Sequence, residues 1–138
     1  MRYIGLDLGS RTLGVAISDV SGMIASSYTI IRHNEEYDKL IDEVKKIVKE
    51  KNIDKIVLGF PKNMDNSIGI KGELSIDFKK KLEKELNMDV ILQDERLTTR
   101  QAEVMLINND TSRKKRKKVI DALAATIILQ SYLDRRDG

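Results

Sequence analysis

The chain has 138 residues, 41% of them hydrophobic and 34% charged, with a formal net charge of +3. This length predicts one domain over residues 1–138, and the composition predicts a soluble globular protein, because no stretch approaches the ~18 apolar residues of a membrane span. The chain has no cysteine and a single histidine, which excludes disulfides, thiolate zinc sites and multi-histidine metal sites. A bound metal would therefore be held by carboxylates, which favours Mg²⁺ or Mn²⁺ over zinc.

The apolar pattern predicts strands first and then helices that alternate with strands. The predicted strands cover residues 2–8, 12–18, 24–31, 56–60 and 90–92. The predicted helices cover residues 35–51, 71–86, 99–108 and 115–134. Because helical crossovers make the later strands parallel to the first, this order predicts an α/β fold with a mixed sheet and helices on both faces. The first strand leaves no room for a secretion signal, so we expect a cytoplasmic protein.

Asp7 ends the first predicted strand, in the turn Asp7-Leu8-Gly9. A carboxylate at the end of a buried strand is costly unless a metal, a cation or a substrate compensates its charge. Gly9 lets the backbone turn sharply or lets a phosphate approach. The pattern therefore indicates metal-assisted phosphate chemistry, although the same three residues are also common in ordinary hairpin turns.

Two more carboxylates have an unusual position. Glu95 follows a predicted parallel strand, so it lies at the same sheet edge as Asp7. Asp121 is the only charged residue between positions 119 and 129, and Ala125 and Ile128 occupy its i+4 and i+7 positions. The alternatives are a charged loop for Glu95 and a first-turn helix acid for Asp121. If the three acids converge, divalent ions would offset their repulsion and activate water for attack on a phosphodiester.

Other polar residues border this edge. Lys62, Asn63 and Ser67 lie in a predicted polar loop over residues 61–70 and are candidates to contact substrate phosphates or bases, although a proline-anchored turn also explains the loop. Arg96 is a candidate partner for a carboxylate or a phosphate. The single histidine lies in another polar loop and is interpreted as a surface residue.

Six consecutive basic residues precede or open the last predicted helix: Arg113, Lys114, Lys115, Arg116, Lys117 and Lys118. Without this basic run the formal charge of the chain is −3. A local basic patch on a mildly acidic body suggests a phosphate backbone as the partner. The alternative is a solvated segment that only aids solubility.

Taken together, the motifs identify a resemblance to the YqgF/RuvX family, described as Holliday-junction resolvases or pre-ribosomal-RNA nucleases. The matching segments are residues 7–9 with 13–16, Gly59-Phe60-Pro61-Lys62-Asn63-Met64-Asp65, Asp94-Glu95-Arg96-Leu97-Thr98-Thr99 and residues 121–125. The resemblance implies an RNase H-like five-stranded mixed sheet whose second strand is antiparallel to the rest. It also implies a metal-dependent nuclease with Asp7, Glu95 and Asp121 as catalytic and metal-binding acids.

The same resemblance implies a biological role. The family is associated with maturation of the 5′ end of small-subunit ribosomal RNA, with junction DNA as an older proposal, and with homodimers. Two departures are visible: the basic residue after the first turn is shifted to Arg11, and Asn66 replaces a glycine. Arg11 is retained as a candidate substrate contact, and neither change affects the three acids.

The leading hypothesis is a Mg²⁺- or Mn²⁺-dependent nuclease acting on structured RNA or branched DNA, with the ribosomal particle as a further partner. With four tyrosines and two phenylalanines, recognition by shape is favoured over base stacking. An ATP-dependent phosphotransferase of the actin and sugar-kinase type would need a second such domain and phosphate loop. A non-catalytic nucleic-acid-binding module is the other alternative.

Overall fold

The computed structural model describes residues 1–60, 69–94 and 113–136, except for the side chains of residues 71, 113–122 and 136. Several predictions therefore lie outside the described residues: the polar loop with Lys62, Asn63 and Ser67, the helix over 99–108, and the side chains of Glu95 and Arg96.

All five predicted strands and three of the predicted helices are present in the described residues. The strands are β1 (Tyr3–Leu8), β2 (Thr12–Ser18), β3 (Ala25–Arg32), β4 (Lys55–Phe60) and β5 (Val90–Asp94). The helices are α1 (Tyr37–Glu50), α2 (Ile70–Leu86) and α3 (Arg113–Arg136). None of the described helices combines the length and the apolar character that crossing a membrane requires.

Three boundaries differ from the prediction, two of them for identifiable reasons. The strand predicted to end at residue 92 continues to Asp94, because its pairing with β4 extends to Phe60. The helix predicted from residue 35 begins at Tyr37, because Glu35 has a φ of 65° and cannot start a right-handed helix. The last helix begins at Arg113 and therefore includes the whole basic run in its first turns.

The strands form one mixed sheet in the order β3-β2-β1-β4-β5. β2 is antiparallel to both of its neighbours, whereas β4 is parallel to β1 and β5 is parallel to β4. β2 is thus the one strand of this sheet that runs against the others. This topology confirms the predicted five-stranded sheet with an antiparallel second strand.

Alternation along β1 sends side chains into two separate cores. Ile4 and Leu6 are fully buried on the face that carries α1 and α2. Tyr3 faces the other core, which is built with residues of α3. The apolar face predicted for α1 is buried throughout: Leu40, Ile41, Val44, Ile47 and Val48. The sheet is therefore covered on both faces, as predicted.

Candidate active site

Asp7 lies at the carboxyl end of β1, at the edge of the sheet where the parallel strands end. It pairs with Gly14 of β2 and its side chain is half-buried. β4 and β5 end at the same edge, because Leu6 pairs with Leu58 and Phe60 pairs with Asp94. Glu95 follows Asp94 directly in the sequence, and its position is not described. The structure thus confirms the predicted location of Asp7, while the role of Glu95 stays a prediction.

The turn that follows Asp7 is compact. The Gly9 N–H donates a hydrogen bond to the carbonyl oxygen of Thr12 at 2.8 Å. A Cβ atom on Gly9 would lie 3.2 Å from both the carbonyl oxygen and the Oγ1 of Thr12, so a side chain would crowd the turn. Arg11 lies exposed in this turn. The glycine is thus explained by the close approach of the backbone, and Arg11 is accessible to a ligand.

His33 holds the other side of this turn. Its backbone N–H donates to the Arg11 carbonyl oxygen at 2.9 Å, and its ring Nε2 lies 3.0 Å from the Gly9 carbonyl oxygen. The side chain is half-buried. His33 is thus a partly exposed residue, as its interpretation as a surface residue allows, but the sequence did not indicate this contact, which forms because antiparallel pairing of Thr12 with Arg32 brings the end of β3 against the turn.

The helix α3 runs antiparallel to β1 across the face that carries Asp7. Near the start of β1, the rings of Tyr3 and Tyr132 have centroids 5.7 Å apart. Further along, a Cβ on Gly5 would lie 2.6 Å from the Leu129 Cβ and 3.1 Å from the Ala125 carbonyl oxygen. Residues nearer the carboxyl end of β1 therefore lie against residues nearer the beginning of α3.

The way in which α3 lies along β1 shows where position 121, the position of the candidate acid Asp121, is found. From Gly5 to Asp7 the strand advances about 7 Å. In the same direction, α3 advances about 6 Å from Ala125 back to position 121, which is about one helical turn. The backbone at position 121 thus belongs to the part of α3 next to the end of β1. The side chain of Asp121 is not described, so its role stays a prediction, although the register favours it.

The basic run occupies the first six positions of α3, from Arg113 to Lys118. Since α3 runs antiparallel to β1, its beginning lies toward the sheet edge of Asp7. Position 113 precedes position 121 by eight residues, or about 12 Å of helix. The run is thus helical backbone rather than a loop, although nothing is described of its side chains.

A metal ion remains a prediction. Among the described side chains, no three of histidine, cysteine, aspartate or glutamate lie close enough to hold a metal. Of the three candidate acids, Asp7 alone has a described side chain. Its half-buried carboxylate at the sheet edge supplies the oxygen donors that Mg²⁺ and Mn²⁺ prefer. The donor chemistry therefore fits these ions.

Comparison with known proteins identifies the fold and the family. The sequence model of the RuvX family, described as Holliday junction resolvase, matches residues 1–135. A structure of RuvC from Thermus thermophilus in complex with a Holliday junction substrate superimposes with a TM-score of 0.62 at 16% identity, covering 100% of this chain and 96% of that one. At this identity the likeness shows the fold, which is RNase H-like.

Two relatives are much closer in sequence. A Bacillus subtilis protein named "Putative pre-16S rRNA nuclease" is 55% identical over 135 residues, which is 97% of this chain and 98% of the relative. A protein of the same name from Caldanaerobacter subterraneus is also 55% identical over 135 residues, covering 97% of this chain and 96% of the relative. The match extends over nearly the whole chain, and the protein therefore belongs to the RuvX (YqgF) family.

Proposed function

We propose that this protein is a divalent-metal-dependent nuclease that hydrolyses phosphodiesters in structured nucleic acid, and that its substrate is the 5′ region of precursor 16S ribosomal RNA. The family membership and the names of the close relatives support the nuclease activity and the substrate. The observation that carries the proposal is the position of Asp7. Its carboxylate lies where the parallel strands end, and ligands of α/β sheets gather at that edge.

Three acids would form the catalytic centre. Asp7, Glu95 and Asp121 would hold Mg²⁺ or Mn²⁺ through carboxylate oxygens. When bound, such an ion activates water and neutralises charge on the phosphate. Asp7 would contribute from the end of β1, and Asp121 from the helix turn that precedes Ala125, the residue of α3 whose carbonyl oxygen lies close to Gly5. The compact turn after Asp7 would keep that carboxylate in place.

Basic residues would bind the substrate backbone. The run from Arg113 to Lys118 begins the helix that also carries position 121. Contacts from such residues to phosphates provide affinity without sequence preference. Arg11 is exposed in the turn after Asp7 and would reach a strand that crosses the sheet edge.

Further contacts would come from the segments that follow β4 and β5 at this edge. Lys62, Asn63, Ser67 and Arg96 are the candidates, and each stays a sequence-based proposal. We also propose that the protein works in the cytoplasm on the ribosomal precursor particle, and that it forms a homodimer.

A second candidate substrate is a four-way DNA junction. The description of the family as Holliday junction resolvase favours it, and the RuvC with the similar fold is bound to a Holliday junction. Both substrates are branched or folded nucleic acids with a continuous phosphate backbone. The chemistry at the three acids would be the same for either one.

The two substrates can be separated by a paired cleavage assay. A fragment of precursor 16S ribosomal RNA and a four-way DNA junction are each incubated with the protein and Mg²⁺ or Mn²⁺, with and without a chelator. We expect cleavage of the RNA that the chelator abolishes. Cleavage of the junction alone would assign the second candidate. Binding without cleavage of either substrate would favour a non-catalytic module and contradict the proposal.

A further inference from the structure

We propose that His33 is a positioning residue for the catalytic centre: its ring fixes the turn after Asp7 and so fixes where the Asp7 carboxylate lies. This inference rests on the proposed function, since it assigns a task to a residue beside that site. The histidine lies outside the three acids and outside the candidate substrate contacts. It is 24 residues from Gly9 in the chain, yet in contact with it.

The hydrogen bonds of the His33 ring define one tautomer. The Glu35 backbone N–H donates to Nδ1 at 3.1 Å, so Nδ1 carries a lone pair and no proton. The ring proton of the neutral imidazole is then on Nε2, which donates to the Gly9 carbonyl oxygen at 3.0 Å. Both ring nitrogens are therefore used, one to orient the ring and the other to hold the turn.

The turn is held at two points by this one residue. The His33 backbone N–H binds the Arg11 carbonyl oxygen, and the ring binds the Gly9 carbonyl oxygen two residues earlier. Glycine has the freest backbone of the residue types, and these two bonds add to the Gly9–Thr12 hydrogen bond that closes the turn from within. Asp7 lies two residues before Gly9, and a metal ligand must stay within about 0.5 Å of its productive position.

The ring of His33 is itself supported. The Glu35 N–H that donates to this ring belongs to a residue with a left-handed backbone, with φ of 65°. That conformation is uncommon for a residue other than glycine and costs free energy. The ring centroids of His33 and Tyr37 lie 5.8 Å apart, and those of Tyr37 and buried Phe78 lie 6.2 Å apart. The turn is thus connected through the ring to the core between α1 and α2.

Two substitutions separate the ring nitrogens. In His33→Gln the side-chain amide places a donor near the position of Nε2 and can keep the bond to Gly9. In His33→Asn the amide oxygen lies near the position of Nδ1 and can keep the bond from Glu35, but the bond to Gly9 is lost. The two variants have the same charge and similar polarity, so each is the control for the other.

We expect His33→Asn to lower kcat about 10-fold with little change in KM, as is typical for loss of a group that supports a metal ligand. The Mn²⁺ affinity, measured by calorimetry and by broadening of the Leu8 and Gly9 amide signals, should fall in parallel. His33→Gln should keep kcat and Mn²⁺ affinity near those of the unaltered protein. Amide exchange at Gly9 should be faster in the Asn variant alone.

The outcomes distinguish this inference from the proposed function. If the unaltered protein binds Mn²⁺ and the two variants bind it equally well, the inference is overturned while the nuclease proposal stands. The same holds if both variants lose activity only in proportion to a lowered melting temperature. A protein that binds no Mn²⁺ would overturn both. If there is Mn²⁺ binding without cleavage, weaker binding by the Asn variant alone still supports the inference.

Discussion

A Cβ atom on Gly5 would lie 2.6 Å from the Cβ of Leu129, closer than real Cβ atoms approach one another. Gly5 thus sets how closely α3 lies on β1. We expect Gly5→Ala to push the helix away from the sheet and to lower the free energy of unfolding by about 1–3 kcal/mol, as overpacked cores do. Urea unfolding followed by circular dichroism measures the change.

A double substitution tests the cause. Leu129→Gly alone removes a fully buried side chain with its Cβ. It should cost about 2–5 kcal/mol for the lost burial and about 1 kcal/mol for a glycine inside a helix. Combined with Gly5→Ala it also removes the Cβ that would lie 2.6 Å from the new Cβ, although the Ala125 carbonyl oxygen would still lie 3.1 Å from it. The double variant should therefore be more stable than the sum of the single effects. Strict additivity would show that Leu129 does not limit the space at Gly5.

The fold was predictable because its elements have clear apolar periods. The face of α1 follows the helical repeat, and all five of its predicted core positions are buried. β4 is a short apolar run buried along nearly its whole length, as expected for a strand covered on both sides. The position of Asp7 was predictable for the same reason, since it ends an apolar strand before a glycine turn.

The parts that sequence reasoning missed depend on contacts between distant segments. His33 follows a strand with four exposed residues and looks like part of a polar loop until β3 is paired with β2. Gly5 looks like any strand glycine, because the pattern does not say how close a helix on that face will lie. The alanines near Asp121 permit a helix to pack closely, but they do not identify its partner on the sheet.

Asp19 should make the stability depend on pH in the acid range. The Ser21 hydroxyl, then the Ile24 and Met23 N–H groups, donate to its carboxylate and lower the pKa of Asp19 from its ordinary 3.8 to about 2. Because the pKa is lower in the folded state, the carboxylate stabilises the fold above about pH 4, and this contribution is lost as the pH falls to about 2.

The check is a pair of urea titrations on the unaltered protein and Asp19→Asn. We expect the Asn variant to be less stable near neutral pH, and the difference between the two proteins to shrink as the pH approaches 2. Ser21→Ala removes the main cause of the shift and should move the transition to higher pH. A difference that stays constant over the whole range would refute this assignment.

The basic run should account for much of the salt dependence of binding. Replacing the six residues from Arg113 to Lys118 by glutamine removes six positive charges from the beginning of α3. We expect weaker binding and a flatter plot of log Kd against log salt, with the slope reduced by about 0.7–0.9 for each phosphate that the protein ceases to neutralise. Filter binding or fluorescence anisotropy over a salt series measures the slope.

A control for charge alone is available on α1. Lys46 and Lys49 are exposed on that helix and lie away from the carboxyl edge of the sheet. Their replacement by glutamine should leave the slope nearly unchanged. If the control variant flattens the plot as much per charge as the basic run does, binding is a diffuse effect of net charge.

The central claim is that the carboxylate of Asp7 takes part in phosphodiester cleavage. Its most direct test is single-turnover cleavage of the precursor RNA in Mg²⁺ by Asp7→Asn, with Asp42→Asn as the control. Asp42 is an exposed acid on α1 and is not among the candidate catalytic or substrate-binding residues, so the control makes the same change of charge at a residue without a proposed role. Both variants should melt near the temperature of the unaltered protein.

We expect Asp7→Asn to reduce the cleavage rate by more than about 100-fold, beyond what loss of a supporting residue costs, while Asp42→Asn cleaves normally. Cleavage by Asp7→Asn at the rate of the control would contradict the assignment of the site.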